Sequence, residues 1–334
     1  MLLVIDGNNI AWAGFHALRR PMNADTPEKL RRAALLGLAQ GVLGLITRGG
    51  EAPGATPGQA DAVVVTFDHG RPLRRREIFP AYQTGRERNP AFVEYEEYVL
   101  GAIERFTELA HLLPVTVLRG TNTEADDLAA AAASQHAGPV RIASTDRDFL
   151  QLVDERVTVY SPVKKLLVTV ENFAEVTAPA DSGGTAAPFP RERYLDYRAA
   201  SGDASDDLPG IAGVGPLTAA RLLARAPMEA YFATPRLAAE VLGRRQAKLE
   251  AALAAGEARE VFERNRTLMD LRAAAQRFPS LDDYRAVGAW DELAARTWLE
   301  TERIARTEIE STVRVLARLA GEEPGAASQG RMEL

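Results

Sequence analysis

Leu2-Leu3-Val4-Ile5-Asp6, Ala62-Val63-Val64-Val65-Thr66-Phe67-Asp68 and Pro139-Val140-Arg141-Ile142-Ala143-Ser144-Thr145-Asp146 decide the fold. Each is a short apolar, mostly β-branched run that breaks off in or just before an aspartate, the pattern of a strand buried on both faces. Helical periodicity is expected between them, over 28–47 and 92–112. Strands alternating with helices predict an open, mostly parallel α/β sheet. In such sheets the functional crevice lies beyond the carboxyl ends of the strands, where Asp6, Asp68 and Asp146 all fall.

Further acids continue the theme. Glu124-Ala125-Asp126-Asp127 opens a helix, with Glu124 and Asp127 three residues apart on adjacent parts of one face. Asp146 and Asp148 share a strand-to-helix loop, and Asp203 and Asp206 precede Pro209-Gly210. Each group also has an ordinary structural use. Thr123-Glu124-Ala125-Asp126 reads as a helix cap with acid in the first turn, Asp146 as another cap, and Asp203, Asp206 and Asp207 as turn residues. Together, however, they place many carboxylates on one sheet edge, where they would repel strongly without cations. Phosphodiester hydrolysis needs a hydroxide-like nucleophile and neutralisation of the attacked phosphate, which two divalent ions about 4 Å apart supply.

Composition narrows the metal. The 334 residues contain no cysteine and four histidines, so thiolate sites and disulfides are excluded and oxygen ligands for Mg²⁺ or Mn²⁺ are expected. The N-terminus has no basic region before its short apolar run. No stretch approaching the roughly 18 apolar residues of a membrane helix is expected, which points to a cytoplasmic protein. The net charge of −6 is unusual for a nucleic-acid binder. Its distribution matters more: Arg71, Arg74, Arg75, Arg76, Arg86 and Arg88 fall within 18 residues.

Residues 51–61 and 178–190 are rich in Gly, Pro and Ala and read as loops, the second marking a boundary. From 191 to 318 the pattern is mainly helical, and the chain beyond Gly321 lacks periodicity and reads as a mobile tail. Within the helical part, Gly213-Val214-Gly215 leads into a helix with Pro216 at its first position. Backbone N–H groups of such a turn can hold a phosphate without reading a base, the helix-hairpin-helix pattern; a plain glycine turn between packed helices is the alternative.

In this order the motifs resemble the 5′ nucleases, the family of phage 5′-3′ exonucleases, flap endonucleases and the N-terminal part of bacterial DNA polymerase I. The resemblance runs through Ile5-Asp6-Gly7, Phe67-Asp68, Arg75, Phe79-Pro80-Ala81-Tyr82, Arg86, Glu124-Ala125-Asp126-Asp127, Thr145–Leu152, Ser201–Asp206 and Pro209–Gly215, covering about residues 1–225. It implies a PIN-like α/β domain over 1–185 with a helical arch at about 83–110, and a helical DNA-binding region over 186–320 with its hairpin at 208–223. It also implies two metal sites: Asp6, Asp68, Glu124, Asp126 and Asp127 for the tighter one, and Asp146, Asp148, Asp203 and Asp206 for the second, some through water. Arg75, Tyr82, Arg86 and Arg88 would grip the strand, and Gly213, Val214 and Gly215 the duplex, with K⁺ at the hairpin. The partner implied is DNA with 5′ flaps, nicks, branches or free 5′ ends.

The chain departs from the family pattern at several places. Gln83 stands where a lysine follows the arch tyrosine, Ala13-Gly14-Phe15 where Arg-Ala-Phe is usual, Leu217 for the hairpin lysine and Asp207 for an asparagine. Asn122 and Thr123 replace a glycine and an apolar residue. Three cations are lost and an anion gained, so weaker, more metal-dependent DNA binding is expected, with Arg74, Arg76 or Arg88 as candidates to compensate. Two other readings compete: a non-catalytic DNA-structure binder of this fold, and a PIN-type ribonuclease, which the glycine hairpin and chain length disfavour. A dinucleotide-binding fold fails because Asp6-Gly7-Asn8-Asn9 is no phosphate-cradling glycine loop.

Overall fold

Leu3 and Ile5 point to one face of their strand and Leu2 and Val4 to the other, because side chains alternate along extended backbone. Both pairs are buried, which requires a layer of helices on each side. A computed structural model, describing residues 1–49, 60–243, 247–304 and 309–322, shows that arrangement. The strands are β1 (Leu2–Asp6), β2 (Ala62–Phe67), β3 (Thr116–Arg119), β4 (Val140–Ala143), β5 (Val157–Ser161), β6 (Leu166–Val168), β7 (Gly202–Asp203), β8 (Leu208–Pro209) and β9 (Arg285–Val287). A central sheet has the order β6-β5-β4-β1-β2-β3-β9, and β7 pairs with β8 apart from it. The five inner strands are parallel and both edge strands, β6 and β9, run antiparallel to their neighbours.

The expected α/β, mostly parallel sheet is therefore present. The chain winds from β1 to β2 and β3, then returns to the other side of β1 with β4, so the strand order reverses at β1 and β4. Such a switch point opens a crevice at the carboxyl ends of the strands.

On the Leu3/Ile5 face lie the helices Gly7–Arg19, Pro27–Thr47 and Pro90–Ala110, enclosing Val63, Val65, Val117 and Phe106. On the Leu2/Val4 face lie Ala125–Gln135 and the later helices Tyr194–Ser201 and Pro216–Arg225, with Val140, Ile142 and Phe149. The helices expected at 28–47 and 92–112 are found, each starting slightly earlier than read. Thr26 caps the first and Asn89 the second, with Pro27 and Pro90 at the first helical position, where a missing N–H costs nothing.

The first two helices cross unusually closely. A Cβ on Gly14 would sit 2.5 Å from the Gly37 backbone, and one on Gly37 2.4 Å from that of Gly14. Gly14, one of the departures noted in the sequence, is thus explained by packing. Gly37→Ala is expected to cost about 1–3 kcal/mol as an overpacked helix crossing, measured as a lower urea midpoint at unchanged slope; a loss below about 0.5 kcal/mol would refute the tight contact.

Helix Pro27–Thr47 bears on the expectation that no membrane-length apolar run is present. By length and composition it is apolar enough to cross a bilayer, although its charged residues interrupt any continuous run. Most of its apolar residues, Leu30, Leu38, Val42 and Leu45 among them, are buried against the sheet and the first helix, the situation of a core helix.

Residues 178–190 lie outside helices and the central sheet, held by a bridge between Ala180 and Ala186. The 191–318 stretch is mainly helical as expected, but also returns β9 to the central sheet. Most of the 51–61 loop and nearly all of the expected tail lie outside the described residues.

Candidate active site

The crevice at the switch point is built from strand ends. Asp6 is the last residue of β1; its carboxylate accepts from the Asn9 N–H (3.1 Å), capping the helix that follows, and from Ser144 Oγ (2.8 Å) just past β4. Asp68 follows β2. One of its oxygens accepts from the Ala125 N–H (2.6 Å) and the other from Asn8 Nδ2 (2.6 Å). The cap expected from Thr123 and Glu124 is therefore provided from another strand: Glu124 occupies the N-cap position without a side-chain cap bond. Asp146 accepts from the Asp148 N–H (2.8 Å), and Asp203 from the N–H and hydroxyl of Ser205 (2.8 and 2.6 Å). The turn use expected of Asp203 is thus real, whereas Asp146, expected to cap the next helix, stands one residue before its N-cap Arg147 and closes a turn onto Asp148 instead.

Two groups of acids result. Ligand oxygens of Glu124, Asp126 and Asp127 lie within 4.8 Å of one another, and so do those of Asp148, Asp203 and Asp206. Asp6, Asp68 and Asp146 stand between them and couple electrostatically: Asp6 feels Asp68 and Asp146, Asp68 feels Asp126, and Asp146 feels both Asp148 and Asp126. All nine acids singled out in the sequence share one crevice.

Burial dominates their protonation. Loss of solvation pushes Asp6 and Asp146 up to about 7, Asp68, Asp148 and Asp206 to about 6, and Glu124 to about 8, with neighbouring acids adding to the rise. Asp127 is raised for the same reason. Asp203 alone is lowered: burial opposes ionisation there, but Arg198 and the Ser205 donors outweigh it.

Arginines are threaded through the acids. The Arg75 guanidinium pairs with Glu124, Asp126 (3.5 Å) and Asp127 (2.8 Å), while its Nε donates to the Leu268 carbonyl (2.9 Å). The expectation that Arg75 grips a DNA strand meets its burial: at 6% exposure it is committed to carboxylates. Arg277 takes the other Asp127 oxygen, Arg198 joins Asp148 (2.8 Å) to Asp203, and Arg86 binds Asp206 (2.7 Å). Arg86 remains partly exposed at the crevice mouth. Arg88 is exposed and folds back on Thr84 (2.9 Å). Tyr82 is buried and donates to Glu124 (3.3 Å).

Gln83, in place of a lysine, donates to Asp206 (2.9 Å), and Asp207 accepts from the Gly85 N–H (2.6 Å). Both departures thus tie the 83–85 segment to the second acid group. Gly213 and Gly215 are exposed with Val214 buried between them, and Gly215 caps helix Pro216–Arg225. The Val214 N–H donates to the Ile211 carbonyl (2.9 Å), and Leu217 packs toward the core.

Sequence reading missed the supporting residues. Asn8 and Asn9 come two and three residues after Asp6, and Asn9 braces Thr145 (3.0 Å to its N–H). Arg198 lies five residues before Asp203 on the helix leading to it, a spacing that carried the signal; Arg277 is remote in sequence and carried none.

The donor set is all oxygen and clustered, and burial disfavours the charge on most of its carboxylates, an arrangement that fits hard divalent cations. Comparison with known proteins agrees with this picture. The family described as 5′-3′ exonuclease, N-terminal resolvase-like domain, matches residues 1–178. DNA polymerase I of Thermus filiformis is 34% identical over 226 residues, which are 67% of this chain and 23% of that protein; the chain therefore spans about a quarter of that relative's length. Among solved structures, the bacteriophage T5 flap endonuclease in a pseudo-enzyme-product complex with DNA and metal ions aligns with a TM-score of 0.60 at 18% identity, covering 96% of this chain and 99% of that one. The catalytic core of Rad2 in complex with DNA aligns at 0.51 and 15% identity, covering 95% and 92%. At these identities the likeness establishes the fold.

Proposed function

The chain belongs to the 5′-3′ exonuclease family, and on that premise we propose that it hydrolyses phosphodiester bonds in DNA at 5′ flaps, nicks, branches or free 5′ ends, using two divalent ions. One observation carries the reading: two carboxylate triads share a switch-point crevice and are bridged by Asp6, Asp68 and Asp146. Asp6, Asp68, Glu124, Asp126 and Asp127 would hold one ion, and Asp146, Asp148, Asp203 and Asp206 the other, with Mg²⁺ or Mn²⁺ as the metal. Bound there, the ions supply an activated water and neutralise charge on the phosphate. Arg86 adds a partly exposed cation at the mouth, beside Asp206. Tyr82 orients Glu124, and Asn8 and Ser144 orient Asp68 and Asp6.

Arg88 and the rest of the 83–110 segment form an arch beside the crevice in this reading. Residues 1–185 form the catalytic region and 186–320 the DNA-binding one. The Gly213-Val214-Gly215 backbone would hold a duplex phosphate, with K⁺ at the turn. A cytoplasmic location follows from a DNA substrate and is part of the same reading.

The test is release of a labelled 5′ flap with Mg²⁺, Mn²⁺ or EDTA, alongside Asp148→Asn. The substitution keeps the size of the side chain and leaves Arg198 its Asp203 partner. Cleavage is expected only with metal and to fall at least about 100-fold in the variant. Metal-independent cleavage, or a fully active variant, would overturn the proposal; tight flap binding without cleavage would favour a structure-binding protein.

A further inference from the structure

Three cations are missing relative to the family pattern, and three arginines could replace them. Two are already engaged: Arg76 donates to the Tyr82 carbonyl (3.1 Å) and to Glu87 (2.8 Å), and Arg88 is folded onto Thr84. Arg74 differs. It is exposed and pairs with no carboxylate among the described residues, and it lines a cavity of about 110 Å³ behind the first acid group. Arg75, Arg277, Asn122 and Thr123 complete the polar wall. Arg74 lies close enough to Arg277 to disfavour its charge.

Two acids, Glu124 and Asp127, also border this cavity, and donors already face them. Asp127 accepts from Arg75 with one oxygen and from Arg277 with the other, while Glu124 accepts from Arg75 and Tyr82. What remains facing the cavity is Arg74 and the amide of Asn122; the Thr123 hydroxyl beside them donates to the Thr121 carbonyl (3.3 Å). Asn122 and Thr123 are departures too, standing where a glycine and an apolar residue are usual. A guanidinium fork flanked by a neutral donor suits a phosphate, which it can bind through two parallel N–H···O bonds. The cavity has room for one such group.

We propose that Arg74, with Asn122, forms a second phosphate-binding pocket that holds a phosphodiester of the DNA strand away from the bond to be cut. This rests on the DNA reading above. It explains how a chain lacking basic residues at positions 13, 83 and 217 keeps its substrate: affinity has moved to the far side of the first acid group.

The test uses the full chain, with Arg74→Glu and Arg74→Lys. Binding of a fluorescent 5′-flap duplex is followed by anisotropy in EDTA across a KCl series. Arg74→Glu is expected to weaken binding about tenfold and to flatten the slope of log K against log[salt] by about 0.9, the signature of one lost phosphate contact. Arg74→Lys should keep the slope. In cleavage assays the loss should fall on KM. Equal affinity and slope for Arg74→Glu and the parent protein, with the parent binding normally, would overturn the pocket and leave the DNA reading standing. If the parent binds no flap DNA either in EDTA or with Ca²⁺, the DNA reading fails, and the anion pocket is judged by inorganic phosphate in EDTA. A rise in melting temperature over chloride at matched ionic strength, absent in Arg74→Glu, would uphold the pocket; no rise would overturn it as well.

Discussion

Arg75→Met is expected to lower the stability of the metal-free protein by about 3–5 kcal/mol at pH 8, the usual cost of removing one partner from a buried ion pair. Arg75 is almost fully buried and compensates Glu124, Asp126 and Asp127 together. Methionine roughly fills the aliphatic volume but leaves the three acids facing one another, with only Arg277 on Asp127. It also strands the Leu268 carbonyl. Two treatments should recover part of the loss. Lowering the pH toward 6 protonates the acids that Arg75 no longer holds ionised, and Mn²⁺ substitutes one cation for another. Urea unfolding in EDTA and in Mn²⁺, at both pH values, measures all four states. A loss below about 1 kcal/mol in EDTA at pH 8 would show that Arg75 is not the internal counter-ion.

The second large effect belongs to the whole crevice. Asp6, Asp68, Glu124, Asp146, Asp148 and Asp206 all have folded-state values between about 6 and about 8, above the 3.8 or 4.5 of free side chains. The folded protein therefore binds more protons than the unfolded chain across this interval, and its stability must fall as pH rises. The fall begins near the unfolded values, runs through pH 6–7 and levels off above about 8. Asp203, shifted the other way, has finished titrating below this window. Divalent ions need the ionised carboxylates and relieve their repulsion, so their stabilisation grows with pH. Metal at about 100 times its Kd adds about 2.7 kcal/mol per site, several degrees of melting temperature for a chain of this size. We expect melting in EDTA to drop between pH 5.5 and 8, and the shift given by Mn²⁺ to widen over the same range. A Mn²⁺ shift independent of pH would contradict a carboxylate site.

Much of this was legible in the sequence because it is local. Runs such as Ala62–Phe67 announce strands, and an acid at a strand end falls at the carboxyl edge of a parallel sheet whatever the strand order. The order itself, and with it the meeting of Asp6 with Ser144 and of Asp68 with Ala125, is set by long-range pairing that periodicity does not encode. The same limit hid the arginines. A cluster rich in Arg reads as a positive surface, yet Arg75 turned inward because Glu124 and Asp127 arrive from another helix to receive it. β9 was missed for a different reason: three residues, Arg285-Ala286-Val287, with one only half-buried, carry no alternating pattern to distinguish them from a loop.

That short strand has a consequence for synthesis. β9 covers the otherwise open edge of β3, and Gly288 and Ala289 continue the contact by donating to the carbonyls of Val115 and His111 (both 2.9 Å). Its partner leaves the ribosome long before it does. Until about residue 290 has emerged, β3 presents unpaired backbone groups to any neighbouring chain, and closing so long a loop is slow. A nascent or shortened chain ending near residue 225 would carry all nine acids of the crevice yet lack its edge cover, an arrangement expected to favour self-association. The terminal third thus supplies the edge cover of the sheet it completes.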